Sequence, residues 1–160
     1  WPMIRQPVET PLMTFDAPVR EPQSLSVISI LRAGNGFLDG LLALERTAKV
    51  GFVGLKRNEA TLQPEQYYLN LPDVSTGTVL ICDPMLATGG SSSHAVRLVK
   101  EQGAKTLKFI CLLAAPEGVE KFSADHPDVP IYTASLDERL NEKGYIVPGL
   151  GDAGDRLYGT

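Results

Sequence analysis

Cysteine is scarce in this chain of 160 residues: only Cys82 and Cys111 occur, each inside an apolar run. That pattern argues against a disulfide framework and for buried free thiols in a reducing compartment, so a cytoplasmic protein is expected. Positive charge is not in excess either. Fifteen Lys and Arg against nineteen Asp and Glu leave a formal charge of −4. A broad electrostatic grip on nucleic acid is disfavoured, and any anion must be bound in a local pocket. No apolar run nears the roughly 18 residues needed to cross a bilayer, so no membrane contact is expected. Repeats and low-complexity tracts are absent. No secretory segment is visible, yet the chain opens on Trp1 and not on Met, which suggests that something upstream is trimmed or left out. The length suits one α/β domain over residues 1–160 and is too small for two.

Residues 1–24 hold Pro2, Pro7, Pro11, Pro18 and Pro22 with little periodicity, and read as an extended or irregular opening segment that could include an edge strand. From Leu25 the pattern sharpens. LSVISIL at 25–31 is a strand-length apolar run, and Phe37, Leu38, Leu41, Leu42 and Leu44 then recur at helical spacing. VGFVGL at 50–55 and TVLIC at 78–82 read as the next strands. Residues 56–77 between them are polar and long for a connection, which suggests a hairpin arm, a lid or a subunit contact. Ala95, Val96, Leu98 and Val99 mark a helix ending near Gly103, followed by the strand LKFICLLA at 107–114. A short helix with Val119 and Phe122, a fifth strand over Val129 to Thr133 and a glycine-rich structured loop from Asn141 to Thr160 complete the reading.

Strands alternating with helices imply an α/β fold: an open, mainly parallel sheet flanked by helices. Ligands of such sheets gather outside the carboxyl ends of the strands. Arg32, Arg57, Asp83, Pro116 with Glu117, and Ser135 with Asp137 follow the successive runs and fall on that one rim.

The most informative stretch is VLICDPMLATGGSSS, where an apolar strand delivers Asp83 into a loop of Thr88, Gly89, Gly90 and Ser91 that opens the next helix. Freed backbone N–H groups, two hydroxyls and the positive end of a helix suit a phosphate monoester without a lysine. The stretch lacks the Gly-Lys-Ser/Thr ending of a Walker loop and the GxGxxG of a dinucleotide fold. A carboxylate five residues before such a cradle would repel the phosphate if aimed at it. Asp83 is better placed to accept hydrogen bonds from sugar hydroxyls, so the loop reads as binding a ribose 5-phosphate.

These residues resemble the uracil type of phosphoribosyltransferase. ILRAGNGFLDG at 30–40, RNEAT at 57–61, DPMLATGGS at 83–91, AAPEG at 114–118 and GYIVPGLGDAGDR at 144–156 match that family in order, from Leu25 to the end of the chain. DPMLATGGS joined to PGLGDAGD is highly specific, whereas RNEAT alone would be weak. Members usually carry some dozens of residues ahead of this region, so the sequence resembles the family without its N-terminal helical segment. The resemblance implies a phosphoribosyltransferase-like sheet with a β-arm insertion and a C-terminal hood over the base.

It also implies a reaction: transfer of the ribosyl phosphate of 5-phospho-α-D-ribose 1-diphosphate (PRPP) to uracil, giving UMP and diphosphate in pyrimidine salvage. By the family pattern PRPP is held by Asp83, Pro84, Met85, Leu86, Ala87, Thr88, Gly89, Gly90 and Ser91, with Arg32 and Arg57 on the departing diphosphate and Asp152 beside the reacting centre. Arg32, Arg57 and Asp152 are thus the catalytic candidates. Arginine suits a diphosphate because its planar fork offers paired donors and stays charged. The pattern assigns uracil to Ile146, Gly151, Asp152 and Ala153, whose backbone groups can read the C=O, N–H, C=O edge. A cytosine there would strand polar groups at about 1–3 kcal/mol each. Gly149 and Gly151 would let the chain approach the flat ring. Pro84 stands where related loops carry a second carboxylate, so no protein metal site is expected and Mg2+ would arrive on the diphosphate. Partners implied are uracil, PRPP, GTP as an allosteric activator, and further copies in a homodimer or larger assembly through the arm at 57–72. Asn35 replaces an apolar residue and Lys56 an aromatic in the family pattern.

Plainer readings exist for each feature. Arg32 and Arg57 taken singly are commonly solvated charges, TGGS can be an ordinary turn, the tail a surface loop, and Asp152 a turn cap. His94 and His126 read as surface or capping residues, and Tyr67 and Tyr68 as packing or interface aromatics. A non-catalytic uracil-nucleotide sensor or RNA-linked pyrimidine regulator, and a purine-type transferase, are the other functional readings. The charge speaks against RNA, and the GYIVPGLGDAG tail against purines.

Overall fold

The computed structural model describes residues 3–20, 24–57 and 64–160. The proline-bearing opening is more regular than its composition predicts. Strands β1 (Met3–Glu9) and β2 (Thr14–Arg20) pair antiparallel in a two-stranded sheet of their own. Each strand of a lone pair has a free edge, which tolerates Pro7 and Pro18 without a ladder donor. At the tip, the Thr10 hydroxyl accepts from the N–H groups of Leu12 and Met13 and donates to the Met13 carbonyl.

The central sheet follows the sequence pattern closely. Strand β3 (Leu25–Leu31) leads into helix α1 (Gly34–Leu44), then β4 (Lys49–Arg57) and β5 (Pro64–Asn70). Next come β6 (Thr78–Cys82), the two-residue β7 (Met85–Leu86), helix α2 (Gly90–Glu101) and β8 (Leu107–Ala114). Helix α3 (Pro116–Asp125), β9 (Ile131–Leu136), β10 (Arg139–Leu140), β11 (Ile146–Val147) and helix α4 (Ala153–Tyr158) finish the chain. The order across the sheet is β5-β4-β3-β6-β8, with β9 also on β8, and every pairing except β4 with β5 is parallel. This is the α/β architecture expected, with β5 as an antiparallel edge.

The insertion after β4 is therefore a hairpin arm that widens the sheet. Residues 58–63, which hold most of RNEAT, lie outside the described residues. Lys56 faces Glu65 across the arm at 3.6 Å, both exposed. Such a cross-strand pair is worth at most about 1 kcal/mol.

Two apolar layers hold the sheet. One face of β3, β6 and β8 packs Ile28, Ile81 and Phe109 against Val96 and Val99 of α2 and Phe122 of α3. The Phe109 and Phe122 rings sit 5.0 Å apart. The other face sets Val27 and Cys82 against Leu38 of α1, with Phe37, Leu41 and Leu42 beside them. Leu44 falls off that stripe and is exposed, although its spacing suggested otherwise. Cys82 and Cys111 are buried and free, as expected.

Three expectations change. The fifth strand runs Ile131–Leu136, so Ser135 lies within it. The tail is not merely a loop but carries the β10–β11 ladder and α4. His126 is buried: its Nε2 lies 3.0 Å from the Ser93 carbonyl, and its ring meets Phe122 edge-on at 5.5 Å. Its backbone N–H does close α3 onto the Phe122 carbonyl, so the capping half of the expectation stands.

Candidate functional site

The carboxyl rim of the sheet brings Arg32, Asp83, the loop at 87–91, Asp152 and Ala153 together, whereas Ile146 and Gly151 line neither of its hollows. Strand β6 ends at Cys82 because Pro84 cannot donate to a ladder, and the Asp83 carboxylate turns back to accept the N–H of Met85 at 3.2 Å. The chain then rejoins β8 as β7, with Met85 opposite Leu113 and Leu86 opposite Ala114. This short detour sets the loop that follows firmly against the sheet.

Gly89 sits just before α2 with φ +76°, a left-handed conformation that a side chain would strain. No side chain caps α2, and its first turn holds no acidic residue. The N–H groups of that turn are thus left open to an outside acceptor, on the positive end of the helix. Helix α4 is the opposite case. The Asp152 carboxylate caps it by accepting the Asp155 N–H at 2.9 Å. An anion is therefore expected at α2 and not at α4.

A cavity of about 180 Å³ lies over this loop, lined by Asp83, Met85, Ala87, Thr88, Gly89, Gly90 and Ser91 from one side and by Asp152 and Ala153 from the other. A second hollow of about 190 Å³ shares Asp83 and Asp152 with it and extends to Leu31 and Arg32. Loop, carboxylates and arginine thus line two adjoining hollows. Ala33, Ser92 and Gly154 also line it and escaped the sequence reading, since none has chemistry that marks it in isolation.

Pro84 and Leu86 are buried, and Leu86 belongs to the core beside α2, so any contact they make with a ligand comes from the backbone. Arg57 ends β4, next to the strand that delivers Arg32, and its side chain lies outside the described residues. Ile146 is buried in β11. Gly151 is exposed with φ +77°, and a β-carbon there would meet nothing within 4 Å. Gly149 differs: a β-carbon would overlap the Ile146 carbonyl, so its smallness serves the chain's own turn.

Two carboxylates noted only as rim residues hold the hood in place. Glu117 at the start of α3 accepts the Leu140 N–H at 2.9 Å, and Asp137 accepts the Gly149 N–H at 3.0 Å. The turn between β10 and β11 is tied by Asn141, whose side chain accepts the N–H groups of Lys143 and Tyr145. Asn35, the odd residue of ILRAGNG, receives the hydroxyl of buried Ser29 at 2.9 Å.

The electrostatics separate the candidates. Burial lifts the Asp83 carboxyl to about 7, the Met85 N–H opposes the rise, and the Asp152 charge adds to it. Burial also pushes the Cys82 thiol to about 12 and the Cys111 thiol to about 11, so neither supplies a thiolate near neutrality. Among the described residues no group of three or more His, Cys, Asp and Glu could hold a metal ion. A wider groove of about 560 Å³ lies beyond Gly90, between α2 and α3. Its charges are already engaged, Arg97 with His94 at 2.6 Å and Lys121 with Asp125 at 2.9 Å.

Comparison with known proteins identifies the family of the chain. The family model described as uracil phosphoribosyltransferase matches residues 1–160. A uracil phosphoribosyltransferase of Brucella anthropi is 57% identical over 155 residues, which cover 96% of this chain and 74% of that protein. One from Sinorhizobium fredii is 58% identical over 154 residues, again 96% and 74%. The solved AQ2163 protein of Aquifex aeolicus superposes with a TM-score of 0.88 at 42% identity, over 98% of this chain and 75% of that one. An adenine phosphoribosyltransferase of Rhodothermus marinus, 23% identical over 71% of this chain and 69% of its own, shares the fold at a TM-score of 0.55. With the loop after Asp83 and the hood above it matched along its whole length, the chain belongs to the uracil phosphoribosyltransferase family.

Proposed function

We propose that this protein is an enzyme that transfers the 5-phosphoribosyl group of PRPP to uracil, giving UMP and diphosphate. The observation that carries the reading is the open N-terminus of α2 behind Asp83, facing Asp152 and Ala153 across one cavity, in a chain more than half identical to uracil phosphoribosyltransferases. The reading of a non-catalytic nucleotide sensor is not favoured by those relatives.

In this reading the 5-phosphate takes the open N–H groups at Gly89, Gly90 and Ser91 and the Thr88 hydroxyl. Asp83 accepts hydrogen bonds from the ribose hydroxyls. Arg32 and Arg57 take the diphosphate. As the bond from the anomeric carbon to the diphosphate oxygen breaks, its electron pair goes to the leaving group and positive charge grows on the sugar. The arginines stabilise the growing negative charge. The N1 nitrogen of uracil forms the new bond to the anomeric carbon, and its N–H proton passes to solvent water. Backbone groups at Ile146, Gly151 and Ala153 select uracil, because a mismatched edge strands buried donors or acceptors.

The donor set suits a magnesium ion that arrives with its substrate: Asp83 and Asp152 line the cavity, and among the described residues no third carboxylate gathers with them. Mg2+ retains waters and takes one or two carboxylates besides substrate phosphates. When bound, it offsets diphosphate charge. We read residues 1–160 as one unit and the β4–β5 arm as a subunit contact in a homo-oligomer, since edge strand β5 leaves Tyr67 and Tyr68 exposed. No helix of the described residues is long and apolar enough to cross a membrane.

The deciding assay offers uracil, cytosine, hypoxanthine and adenine side by side with PRPP and magnesium. UMP and diphosphate are expected from uracil alone. Turnover of a purine, or uracil binding without diphosphate release, overturns the proposal.

A further inference from the structure

Arg32 is held at three points by one turn of helix more than a hundred residues away. Its carbonyl receives the Tyr158 hydroxyl at 3.0 Å as well as the Asn35 N–H at 3.2 Å. Its guanidinium lies 3.6 Å from Asp155 Oδ1 and 5.9 Å from the centre of the Tyr158 ring. Between these, Leu157 covers Gly36 so closely that a β-carbon there would come within 2.9 Å of it. Helix α4 therefore grips both ends of the turn from Arg32 to Gly36 that starts α1.

We propose that α4 is a latch for Arg32, in which Tyr158 is a positioning residue for its backbone and Asp155 holds its guanidinium until the diphosphate of the donor replaces it. The inference rests on the phosphoribosyl-transfer reading above and adds to it two residues outside the matched pocket lining.

The strengths of the contacts suit a latch and not a lock. The Arg32–Asp155 pair is long, with the side chains 57% and 54% exposed, and such pairs are weak. A diphosphate offers the planar guanidinium two oxygens in register and more charge than one carboxylate, so it displaces Asp155. The Tyr158 hydrogen bond is to backbone and does not compete with substrate. It stays made while the side chain swings. Helix α4 begins at Asp152 and Ala153, which line the cavity, so the same turn of helix reaches from the base side of the site to the arginine.

The test is calorimetric titration of the full chain with PRPP and magnesium, alongside uracil KM and thermal melting. Tyr158→Phe keeps the ring and removes only the hydroxyl. It is expected to weaken PRPP binding about three- to tenfold with less than a twofold change in uracil KM. In an Arg32→Ala background the same substitution is expected to cost nothing further. Asp155→Asn is expected to bind PRPP about two- to fivefold more tightly than wild type, because the competing carboxylate is gone. Equal PRPP affinity in Tyr158→Phe, the same loss with and without Arg32, or unchanged or weaker binding in Asp155→Asn overturns the latch. A wild-type chain that binds PRPP but forms no UMP overturns the transfer reading, while the three binding comparisons still judge the latch. A wild-type chain that binds no PRPP overturns both.

Discussion

Gly118 of α3 lies against the carbonyl of Ala87, so near that a β-carbon on it would overlap that oxygen. Gly89 leans on the same spot, since a β-carbon there would come within 3.0 Å of the Gly118 carbonyl. The loop that leads into α2 is thus braced by the start of the next helix, with backbone on backbone.

Gly118→Ala is therefore expected to displace the loop. Overpacking of this kind costs about 1–3 kcal/mol, and PRPP affinity is expected to fall at least tenfold. Gly40→Ala is the control: it lies in α1, and an added β-carbon would meet nothing within 4 Å. Urea titration is expected to show Gly40→Ala more stable by about 0.5–1 kcal/mol. Equal stability of wild type and Gly118→Ala would remove the brace.

The raised Asp83 carboxyl makes stability depend on pH in a definite direction. Its ordinary value is 3.8 and its folded value about 7. Between about pH 4 and 7 the native chain keeps a proton that the unfolded chain has released. Stability from this group is present below that window and is lost as pH rises through it. Asp83→Asn is expected to flatten this part of the profile by on the order of 2 kcal/mol, discounted for the partial exposure of the side chain. Urea midpoints of the ligand-free proteins at pH 4.5 and pH 8 measure it, and parallel profiles would contradict it.

Ser29 and Asn35 form a self-contained polar pair beneath the Arg32 turn. Asn35→Leu leaves the Ser29 hydroxyl buried without its partner, and is expected to destabilise by about 1–3 kcal/mol. Adding Ser29→Ala is expected to restore part of the loss, because both polar groups are then gone together. Chemical denaturation of the two single variants and the double variant reads the coupling. Additive losses would show that the pair is incidental.

Ser26 is fully buried on β3, and its hydroxyl has no hydrogen-bond partner among the described residues. Ser26→Ala removes that unpaired group with little change in volume. A gain of about 1 kcal/mol is expected, read as a higher melting temperature. A lower melting temperature would mean that the hydroxyl is satisfied in solution.

Legibility in the sequence tracked the range of the interaction. The apolar runs at 25–31, 78–82 and 107–114 became β3, β6 and β8 with those bounds, because strand formation there is decided by a few adjacent side chains and a breaking Asp83-Pro84. TGGS also announced its turn and helix start. The opening hairpin was masked by prolines that a lone pair of strands tolerates at its free edges, and the last helix by glycines that read as loop. His126 looked exposed beside Pro127, yet Ser93 of the neighbouring helix draws it inward.

The chain's sequence by itself determined the α/β order and the glycine turn behind Asp83, which depend on residues close together along the backbone, and the family, which its ordered motifs mark. Only the tertiary structure decided that Gly118 braces that loop, that Glu117 and Asp137 hang the hood, and that Tyr158 meets Arg32 across 126 positions. Those contacts join segments that become neighbours only when the sheet has assembled and its helices have packed. A hydrogen bond between such distant groups leaves no periodicity or spacing in the sequence from which it can be read.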